Sequence, residues 1–277
     1  MMVLRVSRSS VSAILATGVL LTASACGTTY QLPDSSGAYT DQARAMFAEA
    51  RSAPKPAPLS TSAAQARFDR VAPRIRVAGQ RACQELTATR AGFNCNVDIA
   101  IDPEMKQPNA YFTYQQRQPV IRISMPLIKE TASDDEVAFV LAHEYGHLIG
   151  RHIEKQQQQV VAGALLAGAI AGVATAAAGN YDGGAVELGL GAGAAVGSIA
   201  YSKAYELESD TLGTRISSAA GYDPVEGAKF FARAEPARGA GGGYSFWGTH
   251  PADEKRVATV LATKAEIDAQ QGLRPAQ

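Results

Sequence analysis

The chain is poor in the residues that mark several large classes of protein. Its 277 residues include three cysteines, one tryptophan and four histidines, and 26 basic residues balance 26 acidic ones. Zero net charge without a basic tract argues against nucleic acid as a partner and against a strongly acidic substrate. No Cys-x-x-Cys pair occurs, so a cysteine-built second zinc site is not expected. Long runs of bulky apolar residues are also scarce. The most extended apolar stretch away from the N-terminus, residues 160–179, is mostly alanine and glycine with six larger aliphatic side chains. Its length suffices to cross a bilayer. A crossing needs a returning partner, however, and the one available, residues 185–200, contains Glu187. A carboxylate near a bilayer centre costs roughly 2.5–3.5 kcal/mol. The reading adopted is a small-residue helical hairpin, packed closely or touching a membrane surface, with two transmembrane spans as the alternative.

What is present begins with an address. Residues 1–25 carry Arg5 and Arg8, an apolar run over 11–21, and Ala23-Ser24-Ala25 just before Cys26. A basic start, a short apolar core and small residues at the end make a signal peptide. Cys26 at that junction reads as the acceptor of a lipid, which tethers the mature chain to a membrane by an N-terminal anchor. Ala23-Ser24-Ala25 also suits ordinary signal cleavage, which gives a soluble periplasmic protein instead. Gly27 rather than aspartate follows the cysteine; by resemblance to enterobacterial sorting, this points to the outer membrane. Residues 26–60 read as a flexible spacer rich in Ser, Thr, Ala and Pro, interrupted by a short helix near 41–51. An exported chain is free to oxidise Cys83 and Cys95. Their bridge would close a loop of about a dozen residues and contribute about 2–3 kcal/mol in the loop-entropy picture.

The chemistry is concentrated in His143-Glu144-Tyr145-Gly146-His147. Imidazoles four residues apart stand one above the other on a helix, at the spacing needed to share one metal ion. The intervening glutamate lies about 100° further round and can handle a water beside that ion. Ser133-Asp134-Asp135-Glu136 supplies a capping box and an acidic first turn for the helix. Val137, Val140, Leu141 and Leu148 form an apolar stripe that anchors it. A hydrolytic zinc takes three protein ligands and keeps a fourth position for water. Glu206 and Asp210 are four apart on a second predicted helix; one carboxylate can bind the metal while the other orients a ligand histidine. Glu208 points elsewhere on that helix and reads as a solvated charge. On one continuous helix His152 would lie roughly 140° from the ligand face, so it reads as structural. His250, in Thr249-His250-Pro251, follows a glycine-rich stretch over 239–243 that would let its loop move. Thr249 can equally be the cap of the following helix, with Pro251 in its first turn.

These motifs resemble the gluzincin peptidases and, more narrowly, the family of the CAAX prenyl protease and HtpX, including its periplasmic lipoprotein members. The resemblance is carried by Asn109-Ala110 before a strand, by residues 137–152 (VAFVLAHEYGHLIGRH), by 201–213 (YSKAYELESDTLG) and by 249–256 (THPADEKR). It spans roughly residues 65–262. It implies His143, His147 and Glu206 as ligands of one Zn2+, Glu144 as general base and Asp210 as the residue holding His143. In relatives a histidine in the setting of His250 lies near the active site, where it stabilises an oxyanion or caps the metal in a latent state. Ser209 replaces a usual alanine and Lys203 a frequent arginine, and neither is a ligand.

Predicted strands at 97–101, 111–114 and 120–123, a helix over 67–86 and the metal helix give an α+β, zincin-like fold, mostly helical with a small sheet beside that helix. Residues 61–277 would form one zinc metallopeptidase domain acting on polypeptide substrates of the cell envelope, misfolded or misassembled ones by resemblance. An edge strand can pair with an extended peptide. Two other readings are a chaperone-like envelope binding protein with a latent zinc site, and a zinc hydrolase of a non-protein envelope substrate such as peptidoglycan. Nothing in the sequence fixes an oligomeric state.

Overall fold

The computed structural model describes residues 27–54, 56–177, 202–233 and 246–276. In chain order the elements are α1 (Ala38–Ser52), α2 (Thr61–Leu86), β1 (Asp98–Asp102), β2 (Ala110–Gln115), β3 (Gln118–Ser124), α3 (Met125–Glu130), α4 (Asp134–Gly150), α5 (His152–Ala177), α6 (Lys203–Ala219), α7 (Pro224–Ala232), α8 (Phe246–Thr249) and α9 (Glu254–Asp268). The fold is α+β and mostly helical, as the sequence led us to expect. Residues 28–152 and 200–277 make one unit; residues 1–27 and 153–199 make a second. Residues 1–25, expected to be a signal peptide, Cys26 and the region containing Glu187 lie outside the described residues. Among the described residues no helix is long and apolar enough to cross a membrane.

The sheet has the order β1-β3-β2. β3 is central, parallel to β1 with Ile121 opposite Ile99. It is antiparallel to β2, with Ile121 opposite Phe112. Such a register puts Ile99, Phe112 and Ile121 on one face, and all three are buried. β2 is therefore an edge strand.

The metal helix forms where its cap begins. Ser133 accepts from the Glu136 N–H at 3.3 Å, and three acidic residues face the positive end of the helix dipole. The Glu136 carboxylate reaches back one residue further than a capping box requires, to the Ala132 N–H at 2.6 Å. Arg233 grips it from the other side at 2.6 and 2.5 Å. The sequence suggested one buried stripe, but every residue from Glu136 to Gly150 is buried. A helix covered all round is a core element. Tyr145 helps to fix it: its ring lies against Gly79 of α2, and its hydroxyl donates to the Cys95 carbonyl at 2.8 Å. Cys95 is itself joined to Cys83 at the end of α2.

Two local departures matter for the site. The metal helix does not run on past residue 150. Arg151 turns left-handed (φ 58°), its N–H closing on the His147 and Leu148 carbonyls, and α5 starts afresh at His152. The angle read for His152 on a continuous helix therefore does not apply. The stretch expected as a spacer carries structure of its own. Tyr30 is buried and bridges Pro275, the Gln31 N–H donates to the Arg274 carbonyl at 2.8 Å, and α1 covers the short helix expected near 41–51.

Candidate metal centre

Four side chains from three parts of the chain converge at the middle of α4. His143 and His147 come from α4, Glu206 from the first turn of α6, and His250 from the turn between α8 and α9. One ligand atom from each lies within 4.8 Å of all the others. His143 Nε2 and His147 Nε2 are 3.1 Å apart, and each stands 3.5 Å from an oxygen of Glu206. His250 Nδ1 is 3.1 Å from both Glu206 oxygens and 3.4 Å from His143 Nε2. Zinc–nitrogen bonds of about 2.0–2.1 Å in a tetrahedron set ligand atoms about 3.3–3.4 Å apart. The donor set and its spacing thus fit a single zinc ion.

The two helices can bring these groups together because glycines stand where they meet. A Cβ on Gly146 of α4 would lie 2.8 Å from the Ser209 Cα, and one on Gly213 of α6 would lie 2.9 Å from the His143 nitrogen. Main chain packs on main chain, so carboxylates on α6 reach imidazoles on α4.

Electrostatics at this buried spot are set by groups that neutralise one another. Asp210 accepts from His143 Nδ1 at 2.9 Å, which leaves Nε2 free to bind a metal. Arg256, only 1% exposed, holds Asp210 through Nε at 2.8 Å and Nη2 at 2.7 Å. Its Nη1 lies 3.2 Å from Glu206, and its guanidinium sits 3.9 Å above the Phe231 ring. Burial alone would depress His143, but its hydrogen bonds to the Asp210 and Glu206 carboxylates prevail and push it up to about 9. The metal-free ring therefore holds a proton that a bound metal must displace. Burial works against the Glu206 carboxylate, yet His250 and Arg256 outweigh it and hold Glu206 well below the usual range. For His147 burial wins, and its pKa falls well below 6.5.

Glu144 is the group with least support. It is 1% exposed, and among the described residues its Oε1 makes no hydrogen bond. His250 Nε2 stands 3.4 Å from that oxygen. Burial raises its pKa, opposed by His250, His143 and a hydrogen bond from the Phe112 amide of β2. An orphaned carboxylate oxygen beside four metal donors is what a base that manages a metal-bound water requires.

Three side chains at this centre were misread or missed from the sequence. Glu208 is fully buried, not solvated. His152 turns toward the ligands, with Nδ1 2.8 Å from His147 Nδ1. Arg256 lies in the THPADEKR stretch but had no assigned role; that stretch was the available signal. Thr249 does not cap the last helix. Asp253 does, accepting from the Lys255 N–H at 2.7 Å, while the Thr249 hydroxyl closes α8 onto the Phe246 carbonyl and reaches Asn109. The glycines at 239–243 lie outside the described residues.

A buried His-His-Glu cluster on two crossing helices, with a glutamate between its histidines, is the arrangement of a metallopeptidase of zincin type. The sequence pattern of peptidase family M48 matches residues 72–264, most of the chain. The protein belongs to that family. Beta-barrel assembly-enhancing proteases of Yersinia pestis and of Escherichia coli strain K12 are each 29% identical to it over 135 residues, covering 48% of this chain and 28% of theirs. The similarity thus spans little more than a quarter of the length of those relatives.

Proposed function

We propose that this metallopeptidase is a zinc endopeptidase of the cell envelope, a periplasmic lipoprotein of the CAAX prenyl protease and HtpX type held by a lipid on Cys26. Its substrates are envelope polypeptides that have misfolded or failed to assemble. The single observation that carries the hydrolytic part is the donor quartet spaced for one tetrahedral ion with an unbonded Glu144 oxygen beside it. The envelope part rests on the signal-like N-terminus and on relatives named for β-barrel assembly.

In this reading His143, His147 and Glu206 hold the zinc. When bound, the ion supplies a Lewis acid that polarises a scissile carbonyl and lowers the pKa of a water. Glu144 Oε1 takes the proton from the attacking water and returns it to the leaving nitrogen. Burial has already shifted this carboxyl toward holding a proton, which suits both halves of the task. Asp210, clamped by Arg256, keeps the His143 proton on Nδ1 throughout. β2 is an edge strand whose Phe112 amide reaches Glu144. An extended peptide paired along that edge would lay its backbone across the base, with little dependence on side-chain identity.

His250 takes the position of a fourth ligand, the place a hydrolytic site keeps for water. We read it as a latency cap. Casein hydrolysis should be abolished by EDTA and restored by stoichiometric zinc, and His250→Ala should raise the zinc-restored rate several-fold. Hydrolysis that survives complete metal removal would end the zinc reading. A loss of activity in His250→Ala would assign this ring to transition-state stabilisation instead.

A further inference from the structure

Behind His147 runs a chain of hydrogen bonds whose directions follow one from another. His147 Nε2 faces the other donors, 3.1 Å from His143 Nε2. Its Nδ1 is 2.8 Å from His152 Nδ1. His152 Nε2 is 2.9 Å from Glu208 Oε2. Glu208 Oε1 accepts two main-chain amides, from Thr29 at 2.5 Å and Tyr30 at 2.7 Å. A neutral imidazole has one N–H and one lone pair. For His147 Nε2 to offer its lone pair to a metal, the proton must sit on Nδ1 and point at His152. His152 Nδ1 is then the acceptor, and its own proton is on Nε2, pointing at Glu208. The Ser209 hydroxyl, 3.3 Å from the same His152 nitrogen, can donate to it as well. His152 is held in plane by the Tyr205 ring, stacked 4.6 Å away at 10°.

We propose that Glu208 and His152 are positioning residues for the metal centre, a carboxylate–imidazole relay that fixes the tautomer and orientation of His147, anchored by the main chain at Thr29 and Tyr30. The proposal rests on the zinc reading above. It makes the two histidine ligands unequal: Asp210 backs His143 directly, whereas Glu208 backs His147 through a second ring. It also gives a role to the full burial of Glu208 and to the amides of Thr29 and Tyr30 that meet its carboxylate: both hold the outer end of the relay.

Glu208→Gln tests the proton order. An amide oxygen turned to Thr29 and Tyr30 puts its NH2 against the His152 Nε2–H. His152 must then move its proton to Nδ1, where it meets the His147 proton. The conflict ends only if His147 carries its proton on Nε2, the atom the metal needs. Turning the amide round sets NH2 against two main-chain N–H groups. The variant should therefore bind zinc about 10–100-fold more weakly in competition with a chromophoric chelator. His152→Phe keeps the stack on Tyr205 and removes the acceptor, and it should weaken zinc binding similarly.

The chain's four histidines, His143, His147, His152 and His250, are all at this centre, so nitrogen–proton correlation spectra of histidine-labelled protein contain only these rings. The zinc-loaded wild type should show His147 protonated at Nδ1 and His152 at Nε2. A His152 ring protonated at Nδ1 would overturn the relay without any variant. Zinc affinity within twofold of wild type in Glu208→Gln, with only a lowered melting temperature of the metal-free form, would reduce Glu208 to packing and overturn it too. A wild type whose rings do not respond to zinc would overturn the metal centre itself, and the relay with it.

Discussion

Glu144→Gln is expected to keep its zinc and to lose casein hydrolysis by roughly 10²–10⁴-fold, the usual contribution of a positioned general base. Each factor of ten is about 1.36 kcal/mol of barrier. The substitution is close to isosteric and touches none of His143, His147 or Glu206, so metal content by atomic absorption should match wild type. Its effect on folding should run opposite to its effect on rate. In the metal-free protein burial raises the Glu144 pKa, so the fold disfavours the ionised carboxylate. That penalty is absent below the unfolded pKa, grows as pH rises from there to the raised folded pKa, and stays constant above it. A neutral amide escapes the penalty, and Oε1 has no hydrogen bond to lose. The melting temperature of the metal-free variant at pH 7 should therefore be no lower than that of wild type. Unfolding at lower temperature would show that the lost activity came from the scaffold, and turnover close to wild type would remove Glu144 from the chemistry.

The parts of this centre that were legible in sequence are those governed by local periodicity. His143, Glu144 and His147 declare a helical metal face by spacing alone, and Ser133 with Glu136 declares where that helix starts. Glu206 and Asp210 show the same four-residue spacing, but spacing cannot say that their helix meets α4 at Gly146 and Gly213. The resemblance to known peptidases supplied that link. Where the reading failed, the cause was non-local. A single continuous helix through His152 puts that ring on the wrong face, because nothing local announces that Arg151 adopts φ 58°, a conformation uncommon outside glycine. A charged residue between two functional ones on a helix usually faces water, and Glu208 departs from that rule. Its cover comes from Thr29 and Tyr30, about 180 positions away in the chain. Arg256 escaped notice for the same reason, its partners being Asp210 on one helix and Phe231 on another. Thr249 suits a cap by residue type, but the next helix starts only at Glu254 and Asp253 caps it instead.

Gly146→Ala should disable the centre without altering any ligand. In an exposed helix interior this exchange favours the helix by about 0.5–1 kcal/mol. Here the new methyl would meet the Ser209 Cα at 2.8 Å, its carbonyl oxygen at 2.9 Å and its Cβ at 3.2 Å. Two of those atoms are main chain and cannot rotate aside, so α6 must move off α4 by several tenths of an ångström. Overpacking of this kind costs about 1–3 kcal/mol, which exceeds the gain in propensity, and the net effect should be destabilising. Glu206 and Asp210 flank Ser209 on α6 and move with it. The 3.5 Å approaches of Glu206 to the two histidines and the 2.9 Å Asp210–His143 hydrogen bond should then lengthen together, lowering zinc affinity and hydrolysis in parallel. Gly272→Ala is the control, because a Cβ there meets nothing within 4 Å among the described residues and should leave both unchanged. Zinc affinity and activity in Gly146→Ala equal to those of Gly272→Ala would mean that the contact between α4 and α6 does not set the ligand geometry. A joint fall would mean that the absence of a side chain at position 146 is as much a requirement of the site as the histidines on either side of it.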